Sequence, residues 1–474
     1  MAETFEVKQS EERTVLTVTS LTAFLFFNSF GSISIALPSI QKQFGNSLAE
    51  VQWITLMGVV TISTLSLWFG RAGGRFGQRR LYKLGVVLYG VGAGLGAISG
   101  SLAPLLCARA VMAVGLAMAL PMSTAILAAS FAPQRRGQAL GFFASAIAVG
   151  RMTGPTIGGF LLQAGGWPWI FWMNFIVGMG VSLAVMKIFR GPGELRPEPF
   201  DPWGTAALLL GYPALLLGLT LGPSFGWLSY PVLVSFVTAA VALCGFVWIE
   251  LRVAHPLIDV GIFKRKMLVG AMATVMLSHV IYHPIALCAP LFLQIGLGTS
   301  AATAGFLLAI LPLSTALASP LSGRFSDRFD ASTVSIVGLF FIVAGIAFYA
   351  MLGHKSDLFF VAAVLALLGL GIGIFTPANQ KLAYSSVGQE NYGVLSAMLS
   401  SFGTAAGTIG ITITVALMEA SGGARLWTEP ATLADAQKFA FACLLPLGVL
   451  AIIIGVRSRK SAPPAPKVRI DSKR

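Results

Sequence analysis

The chain has 474 residues, of which 56% are hydrophobic and only 11% charged, where a soluble domain carries about 25% charged residues; composition therefore excludes a water-soluble globular protein and leaves an integral membrane protein. Lys and Arg outnumber Asp and Glu by 32 to 18, a net charge of +14. The arginines are scattered between apolar runs rather than gathered on a face, so nucleic acid is excluded as a partner and the charge reads as membrane topology.

Residues 1–13 are polar and acid-rich, with no small-residue cleavage site after the first apolar run, so no removable signal peptide is expected. Crossing about 30 Å of hydrocarbon takes roughly twenty apolar residues. Fourteen such runs follow, at 14–38, 50–70, 83–101, 104–131, 138–163 and 169–189, then 204–222 and 230–250, then 267–294, 301–322, 333–352, 357–377, 392–418 and 437–456. With both termini inside, 26 of the 32 basic residues fall on the cytoplasmic side and only Lys42, Lys355, Arg425 and Lys438 outside, as the positive-inside rule requires; Arg109 and Arg151 remain within the membrane. The chain thus reads as all-helical. A cytoplasmic N-terminus (1–13) precedes a six-helix bundle (14–190), then a hinge, two extra helices and a loop (191–266), a second six-helix bundle (267–456) and a basic cytoplasmic tail (457–474). The hinge, from Gly191-Pro192-Gly193 to Pro202, is rich in Pro, Gly and charge.

Between spans two and three stands Gly70-Arg71-Ala72-Gly73-Gly74-Arg75-Phe76-Gly77-Gln78-Arg79-Arg80, and between spans ten and eleven Gly323-Arg324-Phe325-Ser326-Asp327-Arg328-Phe329. Two glycine-and-arginine loops at matching places in two halves read as an internal repeat, as in transporters built from duplicated bundles that rock about a central site. Within span five, Gly150, Gly154 and Gly158 recur every four residues and form a stripe against which another helix can lie closely; Pro155 beside it bends the helix, and Gly159 follows. The cysteines, Cys107, Cys244, Cys288 and Cys443, lie in apolar runs without a CxxC pair, which argues for neither a disulfide framework nor a zinc site.

The Gly150–Gly159 stretch resembles the "gxxxGPxxGG" signature that exporters of the major facilitator superfamily carry in their fifth span, with every fixed position filled. Both loops look like the superfamily's "GxLaDRxGrr" loop. Gly74 stands where the first copy usually has aspartate, while the second copy keeps Asp327. In the family that aspartate takes part in a charge relay at the cytoplasmic face that holds the outward-facing state shut, so the first-half latch stands without its aspartate. Ala36-Leu37-Pro38, Gln52-Trp53, Gly166-Trp167-Pro168-Trp169-Ile170-Phe171, His255-Pro256-Leu257-Ile258-Asp259, and Leu293-Gln294 with Ala304-Gly305 resemble the fourteen-span drug:proton antiporter family. The resemblance covers nearly the whole chain. It implies the major facilitator fold with two extra central helices, alternating access, and a plasma-membrane monomer.

Ionisable side chains inside a membrane are costly, and each is a functional candidate. Arg109 matches the family's span-four arginine, which implies a part in proton coupling or in organising span one; an arginine satisfied by helix carbonyls is the alternative. Arg151 has no counterpart in the family pattern and lies near mid-membrane, about 20 Å into span five by helical rise. It calls for an anion or an acceptor-rich partner, and no acidic residue occupies the middle of a span, so the substrate is a candidate partner. Where family members place an aspartate in span one, the chain reads Phe27-Asn28-Ser29-Phe30, leaving carboxylate-based proton coupling unsupported in the first half. His279 and His283, four apart on one face of span nine with Tyr282 between, can titrate near neutral pH; packing histidines and metal ligands are the alternatives, the latter without an HExxH glutamate. Asn379-Gln380 offers further hydrogen bonds.

The expectation is a secondary transporter exporting a small organic molecule, with proton antiport implied by the resemblance. An organic-anion carrier without proton coupling is the alternative in the same class, and a membrane sensor or assembly protein that lost transport the alternative in another. No nucleophile elbow, P-loop or metal-ligand cluster is present in the sequence, so neither an enzyme nor a cofactor is expected.

Overall fold

The structure is a computed structural model describing residues 2–46, 48–189, 201–253, 260–423 and 429–459. The hinge up to residue 200, the 255–259 motif and the tail beyond residue 459 lie outside the described residues. The first bundle comprises α1 (Ala2–Phe44), α2 (Leu48–Phe76), α3 (Gln78–Ala97), α4 (Leu102–Ser130), α5 (Arg136–Gly165) and α6 (Pro168–Ile188). The hairpin α7 (Pro202–Phe225) and α8 (Tyr230–Glu250) follows. The second bundle comprises α9 (Lys266–Tyr282), α10 (Ile285–Leu291), α11 (Ala301–Arg328), α12 (Ala331–Tyr349), α13 (Leu358–Ser385), α14 (Tyr392–Gly422) and α15 (Pro430–Arg459). Pro284 lacks the amide that would continue α9, so α9, α10 and a π-helical turn at Phe292–Gly296 form one broken rod.

The two bundles repeat each other in packing. α1 lies on α5 and α6, α2 on α4, and α3 on α4 and α6; correspondingly α9 lies on α14 and α15, α11 on α13, and α12 on α13 and α15. The bundles meet along two seams, α5 with α11 and α2 with α14, which the same repeat exchanges. α7 covers the second seam: it packs on both α2 and α14, and its Tyr212 hydroxyl donates to the Ser401 carbonyl. Ser401 Oγ in turn donates to Ser63 O of α2 at 2.7 Å.

Twelve rods among the described residues are long and apolar enough to cross a membrane, counting α9 to Gly296 as one. Of the fourteen predicted runs, those in α3 and α5 fall outside this set, because α3 opens on Arg79, Arg80 and Lys83, α5 holds Arg136 and Arg151, and both are rich in glycine. Several of the few acids cap helices instead of crossing the bilayer. Asp201 accepts from the amides of Trp203 and Gly204 at the start of α7, at 3.1 and 3.0 Å, and Asp330 and Asp357 begin α12 and α13 in the same way.

The glycine stripe of α5 does what its spacing predicts. Gly150, Gly154 and Gly158 lie on the α1 backbone at Phe24, Asn28 and Ser32, and the Pro155 ring sits against Gly31. A methyl group on Gly154 would stand 2.5 Å from the Asn28 carbonyl oxygen, whereas around Gly159 there is open space to 4 Å. Gly154→Val is expected to lower the melting temperature of the purified protein by several degrees, since overpacking costs about 1–3 kcal/mol, while Gly159→Val leaves it unchanged. Equal melting temperatures for the two variants would show that the seam is not close-packed.

Candidate functional site

Because the α5 stripe turns Gly150 towards α1, the next residue, Arg151, is carried about 100° round the helix and faces the interior between the bundles. It stands midway along the 30 residues of α5 yet remains solvent-exposed, with its guanidinium carbon 4.8 Å from the centroid of the half-buried Phe27 ring. From the second bundle, α9 brings His279, Tyr282 and His283 close enough to Arg151 for electrostatic interaction. These three rings are half-buried and form one cluster, with centroids 5.0 Å (His279–Tyr282), 5.1 Å (His279–His283) and 5.3 Å (Tyr282–His283) apart. His279 Nδ1 lies 2.8 Å from the Val275 carbonyl and Nε2 3.0 Å from the Tyr282 hydroxyl. A carbonyl can only accept, so Nδ1 carries the hydrogen; in the neutral ring Nε2 then accepts from the Tyr282 hydroxyl, and in the protonated ring it donates to the same oxygen.

The imidazoles fit because α14 has a glycine stripe of its own, which sequence reading overlooked. Gly403 lies against the His279 ring, Gly407 against the His283 ring, and Gly410 against the Val280 backbone. The 4-then-3 spacing at the place where the repeat sets α14 opposite α5 was the available signal. The repeat therefore relates the α9–α14 seam, with its histidines, to the α1–α5 seam at Phe24 and Asn28.

Asn28 itself does not reach the interior. It is 1% exposed and donates to Thr153 Oγ1 at 3.0 Å, while Ser32 Oγ donates to the Gly154 carbonyl at 2.8 Å. Arg109, 4% exposed, donates through Nε to the Ile54 carbonyl of α2 at 3.1 Å and lies in the space left by Gly58. Asn379 is also buried. Its Nδ2 donates to the Ala271 carbonyl at 3.0 Å, and its Oδ1 accepts from Thr274 at 3.2 Å beside a small polar cavity lined by Gly270, Ser332, Ser335 and Ser458.

At the end of the molecule that carries the basic loops, the two bundles are locked. The Asp327 carboxylate accepts from the amides of Gly137 at 3.0 Å and Gln138 at 2.8 Å, so a side chain of the second bundle caps α5 of the first. Lys381 holds the same carboxylate at 2.5 Å, and Gly323 allows backbone contact with Gly137. On the α2–α14 side Gly70 meets the Gly393 backbone, the hydroxyls of Thr124 and Ser396 join, and the guanidinium of the buried Arg136 lies over Tyr392 at 5.2 Å. Gly74, however, faces open space, and no carboxylate of its own is available there. Gly77 has φ 89°, a left-handed turn between α2 and α3 suited to glycine; Arg75 and Arg79 lie over Phe76 and Phe189, and Arg328 is exposed.

The family profile described as Major Facilitator Superfamily matches residues 19–285 and 267–474. The chain is 28% identical over 401 residues to the Multidrug resistance protein Stp of Mycobacterium tuberculosis, covering 84% of this chain and 74% of that protein. It is 29% identical over 404 residues to the Multidrug export protein EmrB of Haemophilus influenzae, covering 83% and 78%. Among solved structures, the human organic anion transporter MFSD10 (TETRAN) superposes with a TM-score of 0.67 at 16% identity, covering 94% of this chain and 99% of that one, a likeness of fold.

Asp327→Asn weakens the cap that closes the basic end. In a chain whose native cysteines are replaced, a cysteine at Ser145, whose hydroxyl now donates to the Ala316 carbonyl across the α5–α11 seam at 2.7 Å, should then react about tenfold faster with a membrane-impermeant maleimide. A tenfold factor is about 1.4 kcal/mol, the lower end of what one charge-assisted hydrogen bond contributes. An unchanged labelling rate would mean that the cap does not hold the seam.

Proposed function

The chain belongs to the major facilitator superfamily, and on that premise we propose that it exports a small organic molecule by alternating access, exchanging protons through His279 and His283. The observation that carries this reading is that Arg151 of the first bundle lies within electrostatic range of the His279–Tyr282–His283 cluster of the second, between bundles joined at one end by Asp327. Relatives named for multidrug resistance and multidrug export support the direction and the substrate class. The basic end is cytoplasmic by the positive-inside rule, with both termini inside and the plasma membrane as the setting. Fourteen crossings satisfy that orientation, α3 and α5 crossing because they are packed along full-length neighbours. The bundles span 14–190 and 267–456, and the working unit is a monomer without cofactor or enzymatic activity.

The internal repeat gives the proton assignment its physical basis. The span-one position that reads Asn28 is matched by histidine in the second bundle, so the titratable group lies opposite its family place. Arg151 favours a second reading, an organic-anion carrier driven by membrane potential, because a guanidinium with no carboxylate in reach among the described residues favours a negatively charged solute.

Flux of ethidium and of 2-naphthoate into proteoliposomes loaded with a pH-sensitive dye separates these readings. Proton movement that accompanies ethidium flux and falls at least about tenfold in His279→Ala/His283→Ala supports the antiporter. Flux of 2-naphthoate alone that follows membrane potential, carries no protons and is lost in Arg151→Ala supports the anion carrier. Binding of either probe without flux by the wild-type chain would overturn the transporter assignment.

A further inference from the structure

Charges in the interior are one-sided. Among the described residues the acids lie near helix ends, and none stands beside Arg151 at mid-helix. The charged and titratable groups facing the histidine pair are Arg151 from α5, Tyr282 on α9 itself, and each ring for the other. The α14 residues packed on them are Gly403 and Gly407; α15, which also packs on α9, turns Phe441, Leu444 and Gly448 inward, and the amide of Asn379 from α13 meets α9 farther along, at Ala271 and Thr274. With both imidazoles neutral, the interior carries a single positive charge.

We propose that the interior between Arg151 and the His279–Tyr282–His283 cluster binds planar aromatic organic anions, the first negative charge pairing with Arg151 and a second entering only together with a proton on the histidine pair. The inference rests on the organic-anion reading of this interior and not on the antiporter reading, and it fixes substrate class and proton count: a proton taken up with the second negative charge moves with the solute.

The geometry supplies both parts of such a ligand. Phe27 holds the guanidinium over its face, and the Arg151 donors, exposed to the interior, can take a carboxylate in the two-pronged manner that guanidinium favours. The aromatic body then lies between the Phe27 side and the clustered rings of α9. A monoanion neutralises Arg151 and leaves His279 in its bonded neutral tautomer. A second carboxylate at the cluster meets Tyr282 and two imidazoles, and is stabilised there when one ring takes up a proton. Because binding linkage is reciprocal, proton uptake on binding appears as a pH dependence of affinity. Protonation therefore assists an anionic solute and opposes a cationic one at the same place.

Three probes with one aromatic body test this by calorimetric titration of the full chain in detergent: 2-naphthoate, 2,6-naphthalenedicarboxylate and a naphthylmethyl-trimethylammonium cation. From about pH 6 to about pH 8.5 the carboxylates stay ionised, since ordinary carboxyl groups titrate near 4. Naphthoate affinity is expected to be flat with pH, and that of the dicarboxylate to weaken up to about tenfold per pH unit above the titration of the pair, the signature of one proton taken up. The cation should bind at least about tenfold more weakly than naphthoate. Arg151→Gln is expected to weaken naphthoate at least about tenfold, with Arg151→Lys recovering part of the loss, and His279→Phe/His283→Phe to remove the pH dependence of the dicarboxylate. Equal pH profiles for the two carboxylates in the wild-type chain, or a cation that binds as tightly as naphthoate, would overturn the proposal without reliance on any variant. If the binding pattern holds while the wild-type chain moves no probe in proteoliposomes, the transporter reading fails and the binding site stands.

Discussion

Backbone contact between helices is the constraint on which the rest of the structure depends. In the first bundle α1 and α5 touch without side chains between them through Gly150, Gly154 and Gly158; in the second α14 meets the α9 backbone in this way at Gly410, while Gly403 and Gly407 take up the rings of His279 and His283. In a bilayer there is no hydrophobic force to draw apolar helices together, so contact this close draws its strength from dispersion along the whole seam. The seam also sets direction. One residue beyond a glycine that must face its neighbour, Arg151 has no choice but the interior, and the α14 glycines leave room for the two imidazoles that face it.

The fold was largely legible in the sequence because the membrane imposes length, apolarity and loop charge together. The helix order, the hairpin between the bundles and the paired loops follow from those regularities. Two runs, in α3 and α5, are weaker than the others because arginine, lysine and glycine dilute them; protein neighbours on several sides make this tolerable.

The interior was less legible. Periodicity put His279, Tyr282 and His283 on one turn of helix, and the structure adds that Arg151 faces them from the other bundle, a relation between residues more than a hundred positions apart that spacing along one helix does not contain. Asn28 shows the limit most clearly. The residue type suggested a polar lining, but a turn of α1 carries it into the α5 seam, where Thr153 takes its amide hydrogen. Arg109 was open between a coupling role and satisfaction by helix carbonyls, and its bond to Ile54 displays the second geometry. Asp327 was readable as a latch, but not as the cap of a helix in the opposite bundle, since a cap is normally sought within a few residues of its helix.

The hairpin α7–α8 breaks the twofold likeness of the molecule. α7 lies over the α2–α14 seam and is tied to it through Tyr212 and Ser401, whereas among the described residues no such cover lies on the α5–α11 seam. The two flanks are therefore unequal towards the lipid. A lipophilic solute dissolved in the bilayer meets a wall on one side and a bare junction between bundles on the other, so any passage sideways from the lipid has a single door, and the hairpin fixes which flank carries it.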